Sequence, residues 1–201
     1  LLAGLLLAGC SRAPEARGPR SDVVIYLIDT LRADHLAVYG DRSARTPNLA
    51  RLAREGVVFE AASAPAPWTL PSVVSILTST FLPEHGVRVD GELFDEEIPT
   101  LAEVLRSEGY VTFALYRNPY SGQLSGLERG FDQSRLLGPE HRSEQLAPWL
   151  GALGARPFFC FFHTVEPHDP YLLPAEAAEP FGGASEEERA AFEAAVTRYR
   201  E

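Results

Sequence analysis

Apolar residues along this chain fall into short continuous blocks, separated by amphipathic stretches with helix punctuation. Val23 to Ile28 is an unbroken run, the pattern of a strand buried on both faces of a parallel sheet. Thr46-Pro47 opens a helix, with Thr as N-cap and Pro in the first turn. Leu49, Leu52 and Ala53 share one face of that helix, and Gly56 ends it. Val57 to Phe59 reads as a short strand, and Pro71 to Leu77 as a buried helix starting just after Trp68-Thr69. A further helix is predicted over Pro99 to Glu108, stopped by Gly109 and feeding a strand at Val111 to Tyr116. His141 to Leu153 reads as a helix and Pro157 to His163 as another buried strand. Ser185 and Glu188 form a capping box for a last, acidic helix that still runs at Glu201. There is no internal repeat. Strands separated by helices predict an α/β layered fold with helices on both faces of the sheet.

The first residues follow a different rule. Leu1 to Leu7 is apolar apart from Ala3 and Gly4, and Leu7-Ala8-Gly9-Cys10 closes the run. The run is too short to span a bilayer, but it suits the apolar region of an export signal. Its ending resembles the lipobox of bacterial lipoproteins, in which the cysteine thiol carries a diacylglycerol. Cys10 is thus the expected lipidation site; an ordinary signal peptide and a buried apolar helix are the alternatives. Ser11 to Arg20, with three Arg and two Pro, reads as a flexible tether. The expected organisation is a signal and tether over residues 1–20 and a catalytic-domain part over 21–201. The expected location is the bacterial cell envelope, exported and lipid-anchored. The absence of Met and the unfinished last helix are read as truncation at both ends, leaving the N-terminal part of a longer enzyme.

Composition narrows the function classes. The 201 residues carry 18 Arg and no Lys against 28 Asp plus Glu, a formal net charge of −10. That balance excludes nucleic acid as a partner, because its binding needs a basic face. A hydrophobic content of 45% excludes a disordered chain, and two cysteines cannot make a disulfide scaffold. Cys160, inside Phe158-Phe159-Cys160-Phe161-Phe162, is expected to be a buried, inert thiol.

The chemistry-bearing residues cluster at strand ends, where α/β folds bind ligands. Asp29 follows the first strand directly, placed either to coordinate a hard cation or to cap a turn. Thr69 stands at a helix start, either as a plain N-cap or as a hydroxyl facing an anion held by the helix dipole. His163 ends the second buried strand and His168 lies five residues on. Either imidazole could bind metal or substrate, donate a proton, or make a structural hydrogen bond.

Taken in order, these segments resemble one family. Asp22 to Leu36 (DVVIYLIDTLRADHL) is similar to the opening of sulfatases in the alkaline-phosphatase superfamily. Tyr39-Gly40, Thr46 to Leu49 and Gly56 to Phe59 fit the following segment. Ala66 to Ser72, Leu77-Thr78 and His85 to Val87 fit the nucleophile region. Leu101 to Gly109, Gly130-Phe131-Asp132 and Pro167 to Tyr171 complete the resemblance, which covers Asp22 to about Leu173. It implies an alkaline-phosphatase-like layered sheet, incomplete at the C-terminus. It also implies Asp29 as a metal ligand, Thr69 as nucleophile and metal ligand, and His168 as a substrate-contacting or proton-donating group.

Departures from the family pattern shape the chemistry. The second Asp usual after the first is Thr30, which weakens that ligand position. The Cys/Ser-x-Pro-x-Arg motif reads Thr69-Leu70-Pro71-Ser72-Val73. Oxidation of a Thr gives a ketone, so the family's formylglycine aldehyde is not expected. The Lys-x-His pair falls near Arg117 and Pro119, keeping a cation at Arg117 and losing the imidazole. The second metal motif, an Asp followed by His or Asn, is not found after Tyr171, and the 201 residues alone are expected to have little or no turnover. The resemblance implies a metal-dependent hydrolase of anionic sulfate or phosphate esters, with calcium or magnesium as the cation. The alternatives are a phosphoethanolamine- or glycerophosphate-type transferase passing through phosphothreonine, with manganese or zinc, and a non-catalytic sulfatase-like binding protein.

Overall fold

The computed structural model describes residues 20–138, 150–151 and 153–168. Cys10, most of the helix read over 141–153 and the capping box at Ser185 lie outside the described residues. Four parallel strands form one sheet in the order β1-β4-β2-β3: β1 Val23–Ile28, β2 Val111–Tyr116, β3 Gln133–Leu136 and β4 Phe158–Thr164. The helices are α1 Pro47–Glu55, α2 Thr69–Thr78, α3 Leu82–His85 and α4 Leu101–Ser107.

The two central strands explain the apolar runs. Side chains alternate across a strand, so Ala114, Tyr116, Phe159 and Phe161 face one layer while Phe113, Leu115, Cys160 and Phe162 face the other. The first layer is filled by α2, whose Leu70, Val73, Val74 and Leu77 are almost fully buried, and by Ala102 of α4. Each such aliphatic side chain contributes about 1.5–3 kcal/mol by leaving water. On the other layer Leu137 and Leu153 pack against the sheet. Cys160 is buried as expected, and desolvation pushes its thiol up to about 12, so it is inert.

Several expectations need correction. β1 is not covered on both faces: as an edge strand among the described residues, it leaves Val24 and Tyr26 about half exposed. Val57 to Phe59 is not a strand; it joins no sheet among the described residues, and both Val57 and Phe59 are largely exposed. α1 starts and stops as its sequence signals, but it buries no residue, and Thr46 makes no side-chain capping bond. α4 is shorter than read because Thr100 and Glu103 form a reciprocal capping box that fixes its start. β3 was invisible to patterning, since Gln133-Ser134-Arg135-Leu136 is an edge segment of mostly polar residues.

Two polar devices lock this core. Gly130 has φ +85, and a Cβ there would stand 2.3 Å from the backbone nitrogen of Glu103. The chain therefore passes α4 at a distance only glycine permits, and Asp132 then accepts from the Thr112 N–H at 3.0 Å. On α2, Ser75 meets buried His85, whose Nε2 lies 2.9 Å from the hydroxyl. The His85 Nδ1 accepts the Val87 N–H at 3.1 Å, so that nitrogen carries no proton and the ring is neutral.

Gly130→Ala should lower stability by about 3 kcal/mol, combining left-handed strain with a backbone clash. Denaturant unfolding checks this, and an unchanged midpoint would contradict the close approach. For His85, burial lowers the pKa more than the Glu84 charge raises it. The neutral ring's contribution is complete above the unfolded pKa of about 6.5 and is lost as pH falls below it. Melting temperatures between about pH 5 and 8 should drop toward acid, and His85→Gln should flatten that slope.

Candidate active site

Three parallel strands end on the same side of the sheet, and the candidate residues follow those ends. Asp29 comes directly after β1, its N–H continuing the ladder to the Thr164 carbonyl at 2.9 Å. Thr30 then takes φ +55, an unusual conformation for a β-branched residue, which turns the chain out of the sheet. Arg117 and Asn118 follow β2, whereas His163 lies within the last two residues of β4 and His168 in the turn beyond it.

Thr69 arrives from elsewhere in the sequence, carried by α2. Trp68, in extended conformation, is the N-cap, and Thr69 is the first helical residue. The plain N-cap reading of Thr69 is thereby excluded, and its hydroxyl is available for another partner. Pro71 in the first turn spends no hydrogen bond, because that turn's N–H groups have no partner within the helix. The Trp68 ring stands edge-on to Tyr120 at 5.6 Å, tying this helix start to the turn after β2.

The outcome is a polar cluster at the edge of a cleft of about 650 Å³. Thr69 Oγ1 donates to Asp29 Oδ2 at 3.0 Å. Asn118 Nδ2 lies 3.4 Å from that same carboxylate oxygen and 3.4 Å from Thr69 Oγ1. Asp29, Thr30, Trp68, Thr69, Ser72 and His168 all line the cleft. Burial pushes the Asp29 pKa up, but contact with His163, the Thr69 hydroxyl and the field of His168 together hold it below the ordinary value. Asp29 is therefore a carboxylate at neutral pH.

Not every expected residue joins this cluster. Arg117 does not line the cleft; its Nη1 pairs with Glu166 Oε1 at 2.8 Å, beside the turn that holds His168. Thr30 lines the cleft without entering the hydrogen bonds around Asp29. Of the Pro167 to Tyr171 segment only Pro167 and His168 are described. Sequence reasoning missed Asn118, although an Asn-Pro pair immediately after a strand is a turn signal at the ligand-binding end of the sheet.

Asp29 and Thr69 offer hard oxygen donors close together, the donor chemistry that calcium or magnesium takes. Among the described residues no group of three or more His, Cys, Asp or Glu side chains could hold a metal. The described residues thus fit part of a cation site. Chemically, an ionised carboxylate beside a helix-start hydroxyl, with an imidazole on the same cleft, suits attack on a tetrahedral anion.

The family model named Sulfatase matches residues 21–199. The chain belongs to the sulfatase family. An N-acetylglucosamine-6-O-sulfatase of Bacteroides thetaiotaomicron is 28% identical over 140 residues, 70% of this chain and 24% of that protein. A protein solved in complex with its substrate D-glucosamine-2-N,6-O-disulfate is 21% identical, with a TM-score of 0.72 over 82% of this chain and 38% of its own. The phosphonate monoester hydrolase of Agrobacterium radiobacter is 22% identical, with a TM-score of 0.62 over 78% of this chain and 43% of its own. These likenesses show an alkaline-phosphatase-like α/β fold with a parallel sheet. The chain spans about a quarter of the length of the curated relatives it matches.

Proposed function

We propose that the protein is a metal-dependent hydrolase of sulfate or phosphate esters in which Thr69 is the nucleophile. The observation that carries this reading is the 3.0 Å hydrogen bond from Thr69 Oγ1 to Asp29 Oδ2 on a cleft shared with His168. Membership of the sulfatase family supports the ester class, and a curated relative acts, by its name, on a sugar 6-O-sulfate. In this reading Asp29, Thr69 and the neighbouring Thr30 supply the described part of a divalent-cation site, with calcium or magnesium preferred by the oxygen donors. A bound divalent cation lowers the pKa of a coordinated hydroxyl and neutralises charge on the transferring group.

The chain's own groups do the rest. The Thr69 O–H points at Asp29 Oδ2, so a lone pair is left for the cleft and the proton has an acceptor. Attack by Oγ1 on sulfur or phosphorus forms the Thr69 ester while the bond to the leaving oxygen breaks. His168 is assigned to donate a proton to that oxygen, and water then releases the acid from Thr69. Arg117 is assigned as the cation of this region, held beside the His168 turn by its ion pair with Glu166.

A second reading is favoured by the Thr itself. A Thr cannot become the formylglycine aldehyde, and Val73 stands where that chemistry uses an Arg. A phosphothreonine passed to an acceptor, with manganese or zinc as the cation, would make the protein a transferase; a phosphonate monoester hydrolase among its structural neighbours is compatible with phosphorus chemistry on this fold. We further propose export and lipid anchoring through Cys10, supported by the Leu7-Ala8-Gly9-Cys10 sequence.

The complete gene product, assayed on aryl sulfate, phosphate monoester and phosphodiester, separates these readings by which ester it turns over. Asp29→Ala should abolish cation binding and turnover together. Thr69→Ala should keep the fold, costing about 1 kcal/mol for one lost hydrogen bond, and lower kcat by several orders of magnitude. Thr69→Ser should retain part of the activity, and a slow ester should leave its adduct on the Thr69 peptide. Full activity in Thr69→Ala, or an adduct on Ser72, would replace Thr69 with another attacking group. Cys10→Ala should move the protein from the membrane fraction to the soluble one, since the acyl chains supply the attachment. An unmodified Cys10 thiol in the mature protein would rule the anchor out.

A further inference from the structure

His163 is the one imidazole of the site region that water cannot reach: its side chain is fully buried at the end of β4. Burying an imidazole there is costly unless both ring nitrogens have partners. Nδ1 stands 2.7 Å from Ser121 Oγ. Nε2 lies 3.3 Å from Asp29 Oδ2, close enough but off the line of the ring N–H, and it makes no hydrogen bond among the described residues.

We propose that His163 is a positioning residue, held by Ser121 so that its Nε2–H aims the Asp29 carboxylate; this rests on the reading of Asp29 as a member of the active site. The tautomer follows from the partners. An ionised carboxylate can only accept, so Nε2 carries the proton. In the neutral ring Nδ1 then accepts, and the Ser121 hydroxyl, able to donate or accept, donates.

The same turn supplies a second donor to the same atom. Asn118 and Ser121 open and close the turn after β2, and the Asn118 Oδ1 accepts the Tyr120 N–H at 3.0 Å. That bond fixes the amide so that its nitrogen, not its oxygen, faces Asp29. Oδ2 therefore meets Thr69, Asn118 and His163, whereas Oδ1 has no hydrogen-bond partner among the described residues. A carboxylate pinned through one oxygen cannot rotate freely, and its other oxygen keeps a fixed direction. Second-layer contacts of this kind set cation affinity and activity by about 10- to 100-fold.

Two amide substitutions separate aiming from mere filling of the core. The Gln amide nitrogen reaches roughly where Nε2 sits, and that of Asn only where Nδ1 sits. In the complete gene product, His163→Gln should keep calcium affinity by titration calorimetry, and kcat, within a few-fold of wild type. His163→Asn should lower both by about 10-fold or more, with KM little changed. Ring-nitrogen NMR of labelled histidine, assigned with His163→Gln, should show the proton on Nε2. Equal performance of the Asn and Gln variants, or a proton resident on Nδ1, would overturn the proposal. If a variant fails to fold, the wild-type tautomer alone decides. Absence of ester hydrolysis in the wild type would count against the proposed function and leave the NMR result standing.

Discussion

Everything at this site depends on the burial of one helix face against two central strands. Leu70, Val73, Val74 and Leu77 of α2 are sealed against Ala114, Tyr116, Phe159 and Phe161, and together they fix the height at which α2 begins. Because Leu70 is already inside the core, Thr69 one residue earlier is held at the rim, next to the end of β1. A small slide of α2 along the sheet would separate Thr69 Oγ1 from Asp29 Oδ2, and close-packed interiors resist such slides. The apolar contact therefore does polar work: it places a hydroxyl and a carboxylate within hydrogen-bond reach, a bond that itself adds only about 1 kcal/mol.

The turn after β2 completes this placement. Trp68 and Tyr120 meet edge to face, and α2 packs on the Pro119–Ser121 turn, so the helix start and the Asn118 amide move as one piece. Asp29, Thr69 and Asn118 pair with one another, as a low-dielectric surrounding requires. The Arg117–Glu166 ion pair sits apart from that cluster, at 2.8 Å and partly in water, where its worth lies in geometry more than in energy.

Much of this was legible in the sequence because it obeys local rules. Apolar runs marked β1 and β4, a mostly apolar stretch after a helix stop marked β2, helix punctuation marked α1, α2 and α4, and an acid directly after a strand pointed to Asp29. The ordered set of motifs pointed to the sulfatase family, and the family model agrees. Cys160 read as buried because its neighbours are four Phe residues, and it is buried.

Tertiary structure decided what local rules cannot reach. Val57 to Phe59 carries the composition of a strand, but a strand exists only where another offers its backbone, and none does among the described residues. β1 is as apolar as a central strand but pairs on one side only among the described residues, because strand order is set by chain connections and not by hydropathy. Asn118 lies 89 residues from Asp29 and 49 from Thr69, distances over which no sequence period extends. The sequence determined that Asp29 and His163 lie at strand ends and Thr69 at a helix start. Only the parallel order β1-β4-β2 brought the ends of three strands to one side and made Asp29, Asn118 and His163 neighbours.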